Sequence, residues 1–496
     1  MSNFLDEILS RPLAERPEPD TLLERFLRAP PLEALLLWLG PAEGWRGPEL
    51  KRRVALNLSH ALAAIDAAMS RQVNAVLHHP AFQRLESSWR GLHYLVQQAP
   101  EGTNIKVRVL SATWKELARD LERAIEFDQS QLFRKVYNEE FGMPGGEPYG
   151  VLLGDYEIRH QPGPDHPTDD LAALGKAAEV AAAAFAPFVI GAEPEVFQLA
   201  SFAEMEVPRN LPRVFEQTEY VKWRALRDTD DARFVGVTLP RVLARLPYGD
   251  VTSRNDGFRF REDVSAPDRR GYLWGTAVYA FGSTLLRAFA ESGWLASIRG
   301  LRRDVEGGGL VTGLPAHPFR ANPSAVAPKC STDVIITDSR EKELGELGFI
   351  ALCHCPDTEL SAFYGNQSVQ RPRGYDDPVA TMNARLSAML QYILCVSRFA
   401  HYLKVMARDK IGSFKTPEEI ENRLNEWLRK YTTANDNAGP ELKAKFPLRE
   451  GKVQVREHPG KPGSYMSVVH LRPHFQLDQM VASVKLVTEL NPMRQV

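Results

Sequence analysis

Between Tyr149 and Ala192 the chain reads YGVLLGDY, then DDLAALGKAAEVAAAAF, then PFVIGA. A buried strand, an alanine-rich helix and a second buried strand in that order leave few folds open. Two apolar strands joined through a helix make a βαβ unit, and such units build parallel or mixed sheets. Further strands fit RFVGVTLP, DVIITD and FIALCHC. NIKVRVL alternates like a half-buried strand, with Ile105, Val107 and Val109 on one face. GYLWGTAVYAFGSTLLRAFAESG is apolar almost all round, which places that helix centrally. The expected class is α/β in the mixed α+β sense, with a mixed central sheet.

Both flanks differ from this centre. Ser2 caps a short helix whose apolar face is Phe4, Leu5, Ile8 and Leu9; Pro12 and the polar ERPEPD follow. TLLERFLRA and PPLEALLLWLGP fit two more short helices, and a long one runs from Pro48 to about Leu77. Its apolar residues Leu58, Leu62, Ile65, Met69, Val73 and Val76 form one narrow stripe at near-heptad spacing. Such a stripe packs on the chain's own core or on a partner's helix. RPRGYDDP, rich in turn formers, marks a break near residue 376. Beyond it a long helix spans about Val379 to Arg408. A second opens on Thr416 as cap, Pro417 in the first turn and Glu419 three residues on. KVQVREH, YMSVVHLRPH and LDQMVASVKLV then read as a small, largely antiparallel sheet. Its last strand, with Met480, Ala482, Val484 and Leu486 on one face, is expected to be an edge open to pairing with another molecule. The expected segments are 1–47 (N-terminal helices, partly mobile), 48–376 (main domain) and 377–496 (C-terminal domain).

Composition removes several classes. Four cysteines in 496 residues cannot build a disulfide framework, and MSNFLDEILS carries acid where a secretory leader carries base, so the expected location is cytoplasmic. A formal net charge of −2 gives no general pull toward nucleic acid or a membrane surface. The longest apolar run, LEALLLWLG, is too short to span a bilayer.

The chemistry-bearing residues are few. Cys353, His354 and Cys355 stand in a row, but a strand sends the two thiols to one face and the imidazole to the other, so three ligands never converge. Cys330 and Cys395 lie in separate elements. EGGGLVTGLP lacks the Lys-Ser/Thr of a P-loop and meets Pro315 where a helix would have to begin, so it reads as a turn where backbones approach closely. No G-x-S-x-G or H-E-x-x-H occurs, His78 and His79 sit at a helix end, and Asp230 and Asp231 lie in a polar turn. No catalytic, metal-binding or cofactor-binding residue is assigned. Arg398, Lys404, Arg408, Lys410 and Lys415 lean basic and suit an acidic neighbour or a solvated helix face.

Six blocks, LHHPAFQRLESSWRGLHYLV, WRALRDTDDARFVGVTLPRVLARLPYG, YLWGTAVYAFGSTLLRAFAESGW, REKELGELGFIALCHC, NARLSAMLQYILCVSRFAHYLKVMARDKIGSF and LRPHFQL, resemble the large sheath subunit of bacterial type VI secretion systems (the TssC, VipB or ImpC family). The resemblance covers roughly residues 50 to 490 in order. It implies a structural protein, not an enzyme, that needs no cofactor. It implies pairing with a small sheath subunit (TssB or VipA) and with further copies of itself in a helical sheath. That sheath would surround an Hcp inner tube, start at a baseplate anchored to an envelope complex, contract, and be recycled by a ClpV-like AAA+ unfoldase. Nucleic acid and membrane insertion are not implied.

Three sets of residues take roles from this resemblance. Phe4, Leu5, Ile8 and Leu9 would fill the unfoldase groove, although Pro12 cuts that helix short and residues 31–46 have no counterpart. Leu58, Leu62, Ile65 and Met69 would pack on a small-subunit helix. Met480, Ala482, Val484 and Leu486 would lie in a strand shared between protomers. The alternatives are a cytosolic enzyme or metal protein using Cys353, His354 and Cys355, and the sheath of a related contractile injection particle.

Overall fold

A computed structural model of the chain describes residues 22–39, 48–143, 145–249, 257–258, 260–264, 269–301, 307–319, 329–355, 358–408, 416–435, 438–457, 465–474 and 484–490. Two compact units emerge: Met1–His78 with Tyr248–Asp263, and His79–Pro247 with Val264–Val496.

The first unit holds helices α1 (Leu22–Arg28), α2 (Pro31–Leu39) and α3 (Pro48–Leu77). Pro48 opens α3 where its missing N–H costs nothing. At the other end, Asn74 Oδ1 accepts from the Asp263 amide at 3.0 Å, and His78 Nε2 lies 3.3 Å from Glu262 Oε1. The second carboxylate oxygen of Glu262 accepts from the Tyr248 amide. The expected helix at Phe4–Leu9 lies outside the described residues.

The second unit is built on a six-stranded sheet. Its strands are β1 (Leu152–Ile158), β2 (Phe188–Ala192), β3 (Val235–Leu239), β4 (Leu310–Val311), β5 (Ile350–His354) and β6 (Ser361–Phe363), in the order β1-β2-β3-β5-β6-β4. The first four in that order pair in parallel and the last two joins are antiparallel, so the sheet is mixed as expected. Around it lie α4 (Pro80–Gln97), α5 (Trp114–Arg123), α6 (Asp170–Ala184) and α7 (Val278–Ser292). Asp169 caps α6, and β1-α6-β2 is the βαβ unit. Phe188, Ile190, Val235, Val237, Ala351 and Cys353 pack toward α6, whereas Val189, Ile350, Leu352 and Phe363 pack toward α7. Burial on both faces is why these strands read as continuous apolar runs.

Three segments depart from the sequence reading. NIKVRVL joins no sheet among the described residues. DVIITD alternates in burial, with Val334 and Ile336 buried, yet forms no ladder; Asp333 N donates to Arg241 O and Thr332 Oγ1 to Val334 O instead. The helix expected over Val379–Arg408 is two helices, α8 (Pro378–Ser387) and α9 (Leu390–Arg408). At the break Ser368 donates twice to Ala388 O, and Leu390 N donates to Asn366 O. The segment 366–368 takes main-chain groups the helix would have used.

After α10 (Pro417–Arg429), capped by Thr416 through the Glu419 amide, comes a three-stranded antiparallel sheet. Its strands are β7 (Leu448–Glu457), β8 (Tyr465–Pro473) and β9 (Val484–Leu490), with β8 central. Ile420, Leu424 and Leu428 of α10 pack on Val453, Val455, Val469 and Leu471, beside Trp294 stacked on Phe399 at 3.9 Å.

Candidate assembly surfaces

Cys353 and His354 end β5, and Cys355 follows it. All three side chains are buried. Burial pushes the Cys353 thiol up to about 12 and raises that of Cys355, so both stay protonated and are poor nucleophiles and poor metal ligands. Cys353 packs in the α6-side core, and no group of three or more metal-binding side chains converges among the described residues. The glycine run does what its composition suggested: a Cβ at Gly309 would fall 2.1 Å from Phe363 O, and Gly309 N and O bond Gly300 and Phe363. It is a place of close backbone approach beside β4 and β6.

The two edges of the C-terminal sheet are not alike. On β7, Val453 donates to Asn425 Oδ1 and accepts from Asn425 Nδ2, both at 2.9 Å. Two residues on, Val455 donates to Glu421 Oε2 at 2.9 Å. Side chains of α10 thus occupy the outer main-chain groups of β7, sealing that edge against another strand. On the far side β9 pairs only with β8 among the described residues.

Register then says which β9 groups face outward. Val453 points away from β8, so its pair with Val469 is the non-bonded kind. Val469 must therefore bond across to Leu486, its partner on β9. By alternation Val484 and Leu486 turn their main chain inward, to β8, and Lys485, Val487 and Glu489 turn theirs to the open edge. Of the expected shared strand, Val484 and Leu486 lie in β9, whereas Met480 and Ala482 lie outside the described residues.

Along α3 the stripe is uncovered. Leu58, Leu62, Ile65 and Met69 are 47%, 60%, 53% and 45% exposed, and Leu56 adds to the same helix's apolar surface. Four large apolar residues are thus exposed at helical spacing along one helix.

Similarity to known proteins identifies the family. A model of the EvpB/VC_A0108 tail sheath N-terminal domain (VipB) matches residues 59–370, and one of the tail sheath gpW/gp25-like domain matches residues 379–490. The chain belongs to the VipB tail sheath family. A curated relative of the sheath protein, the type VI secretion system sheath protein TssC1 of Pseudomonas aeruginosa, is 44% identical over 432 residues, covering 86% of this chain and 85% of that protein. Among solved structures, a chain of the anti-feeding prophage baseplate aligns at 11% identity over 79% of this chain and 81% of its own, with a TM-score of 0.33. No helix among the described residues of the sheath protein is long and apolar enough to cross a membrane.

Sequence reasoning missed Asn425 and Glu421, because their role depends on which main-chain groups β7 turns toward α10. The only signal was faint: an amide and an acid four residues apart on the helix that opens at Thr416. It also missed Arg398 and His401 as a pair. They line one cavity, which only the fold of α9 against residues 104–108 creates.

Proposed function

We propose that this tail sheath protein is the large subunit of a type VI secretion sheath and acts by polymerising, not by catalysis. It pairs with a small sheath subunit, and the heterodimers form a helical tube in the cytoplasm around an Hcp-type inner tube, beginning at a baseplate. Contraction is a two-state change of packing repeated along the tube, and a ClpV-like unfoldase recycles the product. Residues 48–376 serve as the main domain and 377–496 as the coupling domain, with 1–47 including the segment offered to the unfoldase through Phe4, Leu5, Ile8 and Leu9. The stripe Leu58, Leu62, Ile65 and Met69 receives a small-subunit helix.

One observation carries this reading: a small sheet with one edge sealed by Asn425 and Glu421 and the other carrying outward main-chain groups. Strand addition at a single edge joins protomers in one direction, and a main-chain ladder keeps them joined while whole subunits move. Co-expression with the companion small subunit, followed by negative-stain microscopy, tests the proposal. Tubules are expected; a chain that stays monomeric beside its companion contradicts it. Cys353→Ser with metal analysis tests the enzyme alternative: unaltered assembly without stoichiometric metal is expected, and metal lost on substitution contradicts the structural role. The identity of the tube protein that co-purifies separates type VI from other contractile particles.

A further inference from the structure

The segment DVIITD has the period of a strand and belongs to no ladder among the described residues. It is held mainly at its first residue. Asp333 N donates to Arg241 O at 3.1 Å, two residues past the end of β3, and Arg269 Nη1 donates to Asp333 O. Just before it, Leu243 N donates to Ser331 O at 2.8 Å, and the Ser331 and Ser361 hydroxyls lie 2.8 Å apart. Asp333 is only 6% exposed, and its Oδ1 is buried with no hydrogen-bond partner among the described residues.

A buried carboxylate needs a cation or several donors of its own. The cations around Asp333 are committed elsewhere. Arg241 places Nε and Nη2 on the two carboxylate oxygens of Glu157 in β1, Nε at 2.7 Å. Arg269 gives Nη1 to a main-chain oxygen and sets Nη2 3.2 Å from Glu206 Oε1. Arg159, the residue after β1, bonds Glu193, the residue after β2, and lies 3.1 Å from Glu195. Glu157, Glu193 and Asp333 thus stand against Arg159 and Arg241 where the parallel strands end. One acid is in excess, and the excess falls on the carboxyl without a donor. Burial above all, with the Glu157 charge adding to it, pushes Asp333 up to about 8 against the pull of Arg241 and Arg269. Glu193 is raised as well, again by burial, but it keeps Arg159. The Cys330 thiol, itself raised by burial, feels the same carboxyl.

We infer that Asp333 is a pH-sensitive catch, which keeps residues 331–337 seated while its carboxyl carries a proton and lets them open when the proton leaves. An ionised Asp333 is drawn toward water, and no ladder holds the segment back. What remains is the burial of Val334 and Ile336 ahead of the helix Asp338–Glu346. The seated form keeps its proton up to about 8, whereas an opened segment gives it up near the ordinary value of 3.8. The contribution of Asp333 to the seated form is therefore complete below 3.8 and is lost as pH rises through 8. Neutral solution lies inside that window, so modest changes of pH there alter how often the segment opens.

Hydrogen–deuterium exchange of the full chain at about pH 6, 7 and 8, corrected for the intrinsic chemical rate, tests this. Opening of 331–337 is expected to rise by up to about tenfold per pH unit in the parent, and to be independent of pH in Asp333→Asn, which keeps the shape of the protonated acid. Glu193→Gln is expected to retain the slope, since Arg159 still has Glu195 beside it. Infrared spectra of parent and variant at neutral pH give an independent readout: the band of a protonated buried carboxyl is expected in the parent and not in Asp333→Asn. A parent without that band overturns the inference. So does opening that ignores pH, or a slope that survives Asp333→Asn and vanishes in Glu193→Gln. If Asp333→Asn does not fold, the band and the slope of the parent, set beside those of Glu193→Gln, decide.

Discussion

His401 shows how one buried side chain ties stability to pH. It sits among Phe141 and Phe185, donates to Ala184 O, and is pushed down to about 3, first by burial and then by the nearby charges of Arg398 and Lys404. The folded state keeps it neutral, while the unfolded chain takes up a proton below its ordinary value of 6.5. Stability from this group is therefore complete above 6.5 and declines as pH falls toward 3. Denaturant unfolding at successive pH values is expected to show that decline, and His401→Gln, which keeps a donor for Ala184 O, is expected to flatten it. An unchanged slope in the variant would assign the effect elsewhere. Asn425 acts at the same scale. Asn425→Ala strips both main-chain partners from buried Val453 and is expected to cost about 1–3 kcal/mol in denaturant unfolding. It also bares part of the β7 edge, so new self-association by light scattering is expected; a variant as stable and as monodisperse as the parent would show the edge needs no seal.

At the level of elements, α3 and β9 are the surfaces that assembly would use. Leu62→Asp with Ile65→Asp changes two exposed positions, so the unfolding free energy is expected to move by less than about 0.5 kcal/mol while binding of the companion is lost in pull-down. Retained binding would remove α3 from the heterodimer contact. The limits of α3, from Pro48 to Leu77, were legible because a proline start and a single stripe mark a helix without reference to anything else. The βαβ unit was legible for a similar reason: each strand is buried on both faces and the helix between them is unambiguous. The break at Ala388 and Met389 was not, because the groups that interrupt the helix come from Asn366 and Ser368, far along the chain. NIKVRVL and DVIITD have the period of strands, but period reports which side chains share a face and not whether a neighbour exists to complete the ladder. The edge strand near the C-terminus was legible as an element, but the direction of its free main-chain groups followed only from the register with β8 and the seal on β7.

For the whole molecule, the central claim is that protomers are coupled through one open sheet edge. Proline at Leu486 would break the chain's own β8–β9 ladder and so would not isolate the claim, whereas Val487 turns its N–H outward. Val487→Pro, co-expressed with the companion small subunit and viewed by negative-stain microscopy beside the parent chain, is therefore the most direct measurement. The expected result is soluble heterodimer with no tubules for the variant and tubules for the parent. Tubules of normal length from Val487→Pro would contradict coupling through that edge.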